Sequence, residues 1–195
     1  LQITYNELFQ KTFQFSNFLQ DQGISNGDRV IIYMPMIPEA AIAMLACARV
    51  GAVHSVVFAG FSSSALADRI NDCQAKMVIT SDGNFRGKKN IEVKAVVDRA
   101  IEKTKTIEKV IVCKRTKAEV NMKSGRDFWW HEVIKDQSSD HRAAILDSED
   151  LLFILYTSGS TGKPKGVVHT IGGYMIYSQY SFQNVFQYEN DDIYW

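Results

Sequence analysis

The strongest constraint on this chain is a set of short apolar runs that scarcely alternate with polar residues. They are "DRVIIYMPM" (Asp28–Met36), "HSVVFAG" from His54, "KMVITS" from Lys76, "EKVIVCKR" from Glu108 and "LLFILYT" from Leu151. A strand that does not alternate is covered on both faces. Segments of helical character separate the runs, and nothing repeats at a fixed period. Buried strands joined through helices predict an α/β domain: a mostly parallel sheet flanked by helices, because parallel neighbours need crossover connections.

The helices carry their own punctuation. Thr4 followed by Glu7 forms a capping box ahead of Leu8, Phe9, Phe13, Phe15, Phe18 and Leu19, with Gly23 as the stop. Pro38 and Glu39 open "PEAAIAMLACARVG", with proline where a first-turn residue tolerates it. Ser62–Ser64 start a helix through "ALADRINDC", and Val93, Val96, Val97, Ala100 and Ile101 form the apolar stripe of another. "DFWWHEVIKD" reads as a short helix with Trp129 and Trp130 packing, and "TIGGYMIYSQYSFQNVF" as a long one. Leu1 is not an initiator methionine, and "DDIYW" reads as a strand with no closing turn. Both ends suggest a piece of a longer polypeptide.

With Lys+Arg and Asp+Glu both at 22, no global field draws the chain to nucleic acid or to a membrane, so any anion site has to be local. Cys47, Cys73 and Cys113 are odd in number and embedded in apolar sequence, which fits buried thiols in a reducing, cytoplasmic setting. No Cys or His spacing suits a structural metal.

In parallel α/β sheets ligands sit beyond the carboxyl ends of the strands. Three polar segments fall there: "FAGFSS", "SDGNFRGKKN" and "YTSGSTGKPKG". The last follows what reads as a buried strand and precedes a helix. It is not a Walker A loop: Pro164 stands where a Ser or Thr has to bind magnesium, and Thr157 replaces the first glycine. Its chemistry still suits a polyphosphate. Glycines let backbone amides turn inward, Thr157, Ser158, Ser160 and Thr161 offer hydroxyls, and Lys163 and Lys165 supply charge. The competing reading is a surface turn rich in small residues.

"YTSGSTGKPKGVVHT" resembles the signature loop of the adenylate-forming enzymes, the group holding acyl-CoA synthetases, luciferases and peptide-synthetase adenylation domains. "IYMPMIPEAAIAMLACARVGAVHSVVFAGFSSSALADRI", "FRGKKN", "WWHEVI" and "DIYW" are similar to the acetyl-CoA synthetase branch of that family, so the resemblance runs over essentially the whole chain. It implies a ligase that joins acetate, or another short acid, to ATP with magnesium and then to coenzyme A. Residues 1–195 would be part of the large N-terminal AMP-binding domain, with the small C-terminal domain absent. The catalytic lysine and the magnesium carboxylate would lie in segments after Trp195, leaving no catalytic residue and no metal ligand in this chain.

The same resemblance assigns Thr157, Ser158, Gly159, Ser160, Thr161, Gly162, Lys163 and Lys165 to the β- and γ-phosphates of ATP, Lys163 being the more variable position. It assigns Arg86, Gly87, Lys88 and Lys89, together with Gly60, to coenzyme A. Lys89 stands where the family normally has arginine, which keeps the charge but loses the forked geometry. Ala59 replaces a glycine common in the family. A solvated basic turn and a plain strand-to-helix turn are the competing readings of these two segments. For the whole chain, a passive nucleotide-binding module and a flavodoxin-like mononucleotide domain stay open. His169 reads as a residue orienting a turn.

Overall fold

A computed structural model describes residues 2–87, 89–157, 164–189 and 191–193. Helix α1 (Tyr5–Asp21) leads into strand β1 (Arg29–Met34), followed by α2 (Pro38–Val50), β2 (Val53–Phe58), α3 (Ser63–Cys73) and β3 (Met77–Ser81). A hairpin, β4 (Asn84–Arg86) and β5 (Lys89–Ile91), precedes α4 (Val93–Ile101), β6 (Lys109–Cys113), β7 (Asp127–Trp129) and α5 (Trp130–Val133). The described chain continues with β8 (Leu151–Thr157), β9 (Lys165–Thr170) and α6 (Ile171–Asn184).

Seven strands form one sheet in the order β7-β6-β3-β1-β2-β8-β9. All neighbours are parallel except β8 and β9, which pair antiparallel. The mostly parallel α/β architecture read from the apolar runs is therefore the one found. β1 shows why those runs do not alternate. Val30, Ile32 and Met34 face a core closed by α1 and α2, while Ile31 and Tyr33 face a second core closed by α3 and α4.

The caps form as their residues dictate. Thr4 Oγ1 accepts from the Glu7 amide at 3.2 Å, and the Glu7 carboxylate accepts from the Thr4 amide at 2.8 Å. Ser62 accepts from the Ala65 amide at 3.2 Å and starts α3. Pro38 opens α2, where its missing N–H costs nothing. Trp130 stacks on Phe15 with ring centroids 3.9 Å apart, a packing role as expected. All three cysteines are buried and unpaired.

Four expectations are corrected. Asp127–Trp129 is a strand rather than helix, so only Trp130–Val133 is helical in that segment. β8 is not a buried strand: of its seven residues only Phe153 is buried, because β2 meets it through the single register pair His54↔Phe153. A further strand, β9, separates the loop after β8 from the helix expected to follow it directly. Asp191–Ile193 lie outside any strand, and Tyr194 and Trp195 lie outside the described residues.

Candidate active site

Every parallel strand delivers its carboxyl end to one rim of the sheet, and the polar segments collect there. The stem of the "YTSGSTGKPKG" segment is a hairpin: Thr157 pairs with Lys165 and Tyr156 with Gly166 across β8 and β9. Ser158, Gly159, Ser160, Thr161, Gly162 and Lys163 lie outside the described residues. The stem is fastened to α3. Tyr156 Oη donates to Asp72 at 2.6 Å, and the Arg69 guanidinium lies 5.3 Å from the Tyr156 ring centroid. Gly166 permits this packing, since a Cβ there would sit 3.0 Å from Ile154 and 3.3 Å from the Tyr156 ring.

Gly60 and Arg86 meet in a second feature, a cleft of about 650 Å³. Met34 and Met36 at the end of β1 and just beyond it, Phe58 and Gly60 likewise at β2, Phe85 and Arg86 on the β4–β5 hairpin, and Leu155 on β8 contribute to its walls. Gly60 lies directly against the Phe58 ring, so that any Cβ would come within 2.5 Å of it. Ala59, 5% exposed, packs into the second core and also lines the floor of the cleft.

The hairpin tip explains the basic turn. Gly87 takes φ +60, the left-handed conformation that a two-residue connection requires, and Lys88 lies outside the described residues. Arg86 and Lys89 stand directly opposite each other. Like charges facing across a hairpin destabilise it, and an anion held between them removes that penalty. Lys89 is exposed and does not line the cleft, unlike Arg86.

One buried carboxylate ties this region to the sheet. Asp82, 1% exposed, accepts from the amides of Gly83 at 2.6 Å, Arg115 at 2.8 Å and Thr116 at 3.0 Å. The hairpin after β3 and the turn after β6 thus hang from the same side chain. At Gly83 a Cβ would come 2.9 Å from the Ile91 carbonyl oxygen, so the hairpin closes tightly onto this anchor.

His169 and His54 take packing roles against Phe153. His169 is in β9, not in a turn, and stacks on Phe153 at 4.5 Å. Burial pushes His54 down to about 4, which keeps it neutral at physiological pH. Among the described residues no group of three or more His, Cys, Asp or Glu could hold a metal ion, and no helix is long and apolar enough to cross a membrane.

Sequence reasoning missed Arg115, which lines the cleft beside Arg86. A lone arginine after a strand carries no motif. Only the pairing of β3 with β6 brings it to the hairpin.

A mostly parallel sheet whose carboxyl rim holds the Thr157–Lys165 hairpin stem and an arginine-lined cleft defines an α/β domain with its open features gathered at one edge. The model of the AMP-binding enzyme family matches residues 1–195, and the chain belongs to that family. It is 54% identical over 193 residues to the acetyl-coenzyme A synthetase of Desulfatibacillum aliphaticivorans and 55% identical over 193 residues to that of Bdellovibrio bacteriovorus. Over 195 residues it is 52% identical to the acetyl-coenzyme A synthetase of Escherichia coli K12. Each comparison covers 99% of this chain and 30% of the relative, so the chain spans under a third of those proteins' length. An acetoacetyl-CoA synthetase from Streptomyces lividans superposes with a TM-score of 0.87 at 27% identity, over 94% of this chain and 28% of that one. The family match leaves no place for the flavodoxin-like alternative.

Proposed function

We propose that the polypeptide to which these residues belong is an acetate–CoA ligase. The acetate carboxylate attacks the α-phosphorus of ATP, the bond to the bridging oxygen breaks, and acetyl-AMP and pyrophosphate form. The thiolate of coenzyme A then attacks the acyl carbon and expels AMP, giving acetyl-CoA. The observation that carries this reading is identity above one half, along the whole chain, to acetyl-coenzyme A synthetases.

Residues 1–195 are assigned to the large N-terminal AMP-binding domain, and the working compartment to the reducing cytoplasm in keeping with three buried free thiols. No side chain of this segment needs to act as a nucleophile. Its contribution is positioning and charge compensation. Thr157 to Gly162 with Lys163 and Lys165 hold the β- and γ-phosphates, so that negative charge developing on the departing pyrophosphate meets hydroxyls, amides and ammonium groups. Magnesium travels with the triphosphate and has its carboxylate outside the described residues. Coenzyme A lies in the rim cleft. Gly60 and the Phe58 ring border its nucleotide, and Arg86 with Gly87, Lys88 and Lys89 meets its phosphate. The two arginines, the apolar walls and, among the described residues, the lack of any acid lining the cleft suit a phosphorylated nucleotide.

The complete polypeptide is expected to exchange pyrophosphate into ATP when acetate is present, and residues 1–195 alone are not. No exchange by the complete chain with any short acid would instead support a passive nucleotide-binding module. Lys89→Arg should lower KM for coenzyme A, because a planar guanidinium binds phosphate through two parallel donors where an ammonium acts as a point charge. An unchanged KM would mean that Lys89 is merely solvated.

A further inference from the structure

We propose that Arg115 is a direct phosphate contact for coenzyme A, completing with Arg86 a two-guanidinium clamp across the rim cleft. This rests on the reading of the cleft as the coenzyme A site.

Arg115 comes from the turn after β6, on the far side of the cleft from Phe58 and Gly60 in strand order, yet it lines the same space as Arg86. Its guanidinium forms no ion pair or side-chain hydrogen bond among the described residues and lies over the Phe85 ring, 5.7 Å from Cζ to the centroid. Arginine on an aromatic face is oriented without being neutralised, and its forked donors remain available. In a chain with no net charge, two guanidiniums with no ion pair among the described residues, facing a cleft that no described carboxylate lines, make a local positive field. Chance solvation would not fix them together. Here the Arg115 backbone is pinned by its amide to buried Asp82, which also receives the Gly83 amide at the root of the Arg86 hairpin. The two cations are therefore carried on one rigid mount, as a bidentate phosphate site requires.

The remaining walls match the rest of such a ligand. Phe58, Phe85, Met34 and Met36 offer an apolar slot for a nucleobase, while the arginines lie where phosphates have to be neutralised. Arg115 is exposed and outside the core, so its removal leaves folding intact.

The test uses the complete enzyme and steady-state kinetics with coenzyme A and with dephospho-coenzyme A, in wild type, Arg115→Ala, Arg115→Lys and Arg86→Ala. Arg115→Ala should raise KM for coenzyme A about tenfold or more, as expected for losing a charge-assisted contact, without raising KM for MgATP. Arg115→Lys should recover part of that loss. If the penalty disappears with dephospho-coenzyme A, the contact is to the 3′-phosphate; if it persists, the contact is to the diphosphate. Either result supports the clamp. An unchanged KM in Arg115→Ala alongside a raised KM in Arg86→Ala would overturn the role of Arg115 and leave the cleft as the coenzyme A site. Unchanged values in both variants would overturn the clamp and the site together.

Discussion

Asp127→Ala is expected to destabilise the domain by about 3–5 kcal/mol, the range for breaking a buried ion pair from one side. Lys94 and Asp127 meet at 2.8 Å with side chains 1% and 0% exposed. Arg126 joins both Asp127 and Asp98, and Lys94 also donates to Asp98 and to the Asn121 carbonyl. The cluster fastens α4 to the start of β7, so alanine at 127 leaves the buried Lys94 ammonium with Asp98 as its one carboxylate partner among the described residues and takes the acceptor from the Arg126 guanidinium and the Lys123 amide. Chemical denaturation of the purified domain should show the loss as a lower midpoint with an unchanged slope. A shift below about 1 kcal/mol, the scale of an exposed pair, would show that the cluster is solvated in the folded state.

The pH dependence has a definite sign. Burial alone would raise the Asp127 carboxyl, but hydrogen bonds from Arg126 and Lys94 outweigh it and hold the group below the usual carboxylate range. A folded pKa below the unfolded one gives stability that is present at neutral pH and lost as pH falls through the folded value. The difference between wild type and Asp127→Ala should therefore narrow in acid.

Lys165→Ala, in the complete enzyme, should reduce kcat/KM for MgATP by about 10- to 100-fold, the worth of one charge-assisted phosphate contact. Lys165 opens β9 opposite Thr157, so its backbone is fixed by the hairpin register even though its side chain is exposed. Lys163→Ala should do much less. Equal effects from the two lysines would refute this division, and both variants should leave KM for coenzyme A unmoved.

Much of the fold was legible because a strand buried on both faces writes itself as a continuous apolar run. β1, β3 and β6 are such strands, and Thr4, Pro38 and Ser62 mark the starts of α1, α2 and α3. β4, β5 and β7 have three residues each, too few for any period to register. β9 contains the β-branched pair Val167-Val168, a strand signal outweighed by the helix that follows. β8 looked buried because its sequence is apolar, but apolarity reports what a face tolerates and not which neighbour covers it. At the rim, the motif-bearing segments could be read and Arg115 and Asp82 could not, since their roles come from the β3–β6 pairing alone.

The carboxylate of Asp82 has a consequence for how the cleft comes into being. It joins turns that follow two different strands, while the opposite wall comes from the turn after a third. No hairpin or helix assembles that cavity locally. Its formation requires stretches of polypeptide far apart in sequence to have docked side by side, so the cavity exists only once the sheet is assembled. Occupancy by a nucleotide would then serve as a gauge of whether the entire sheet has closed.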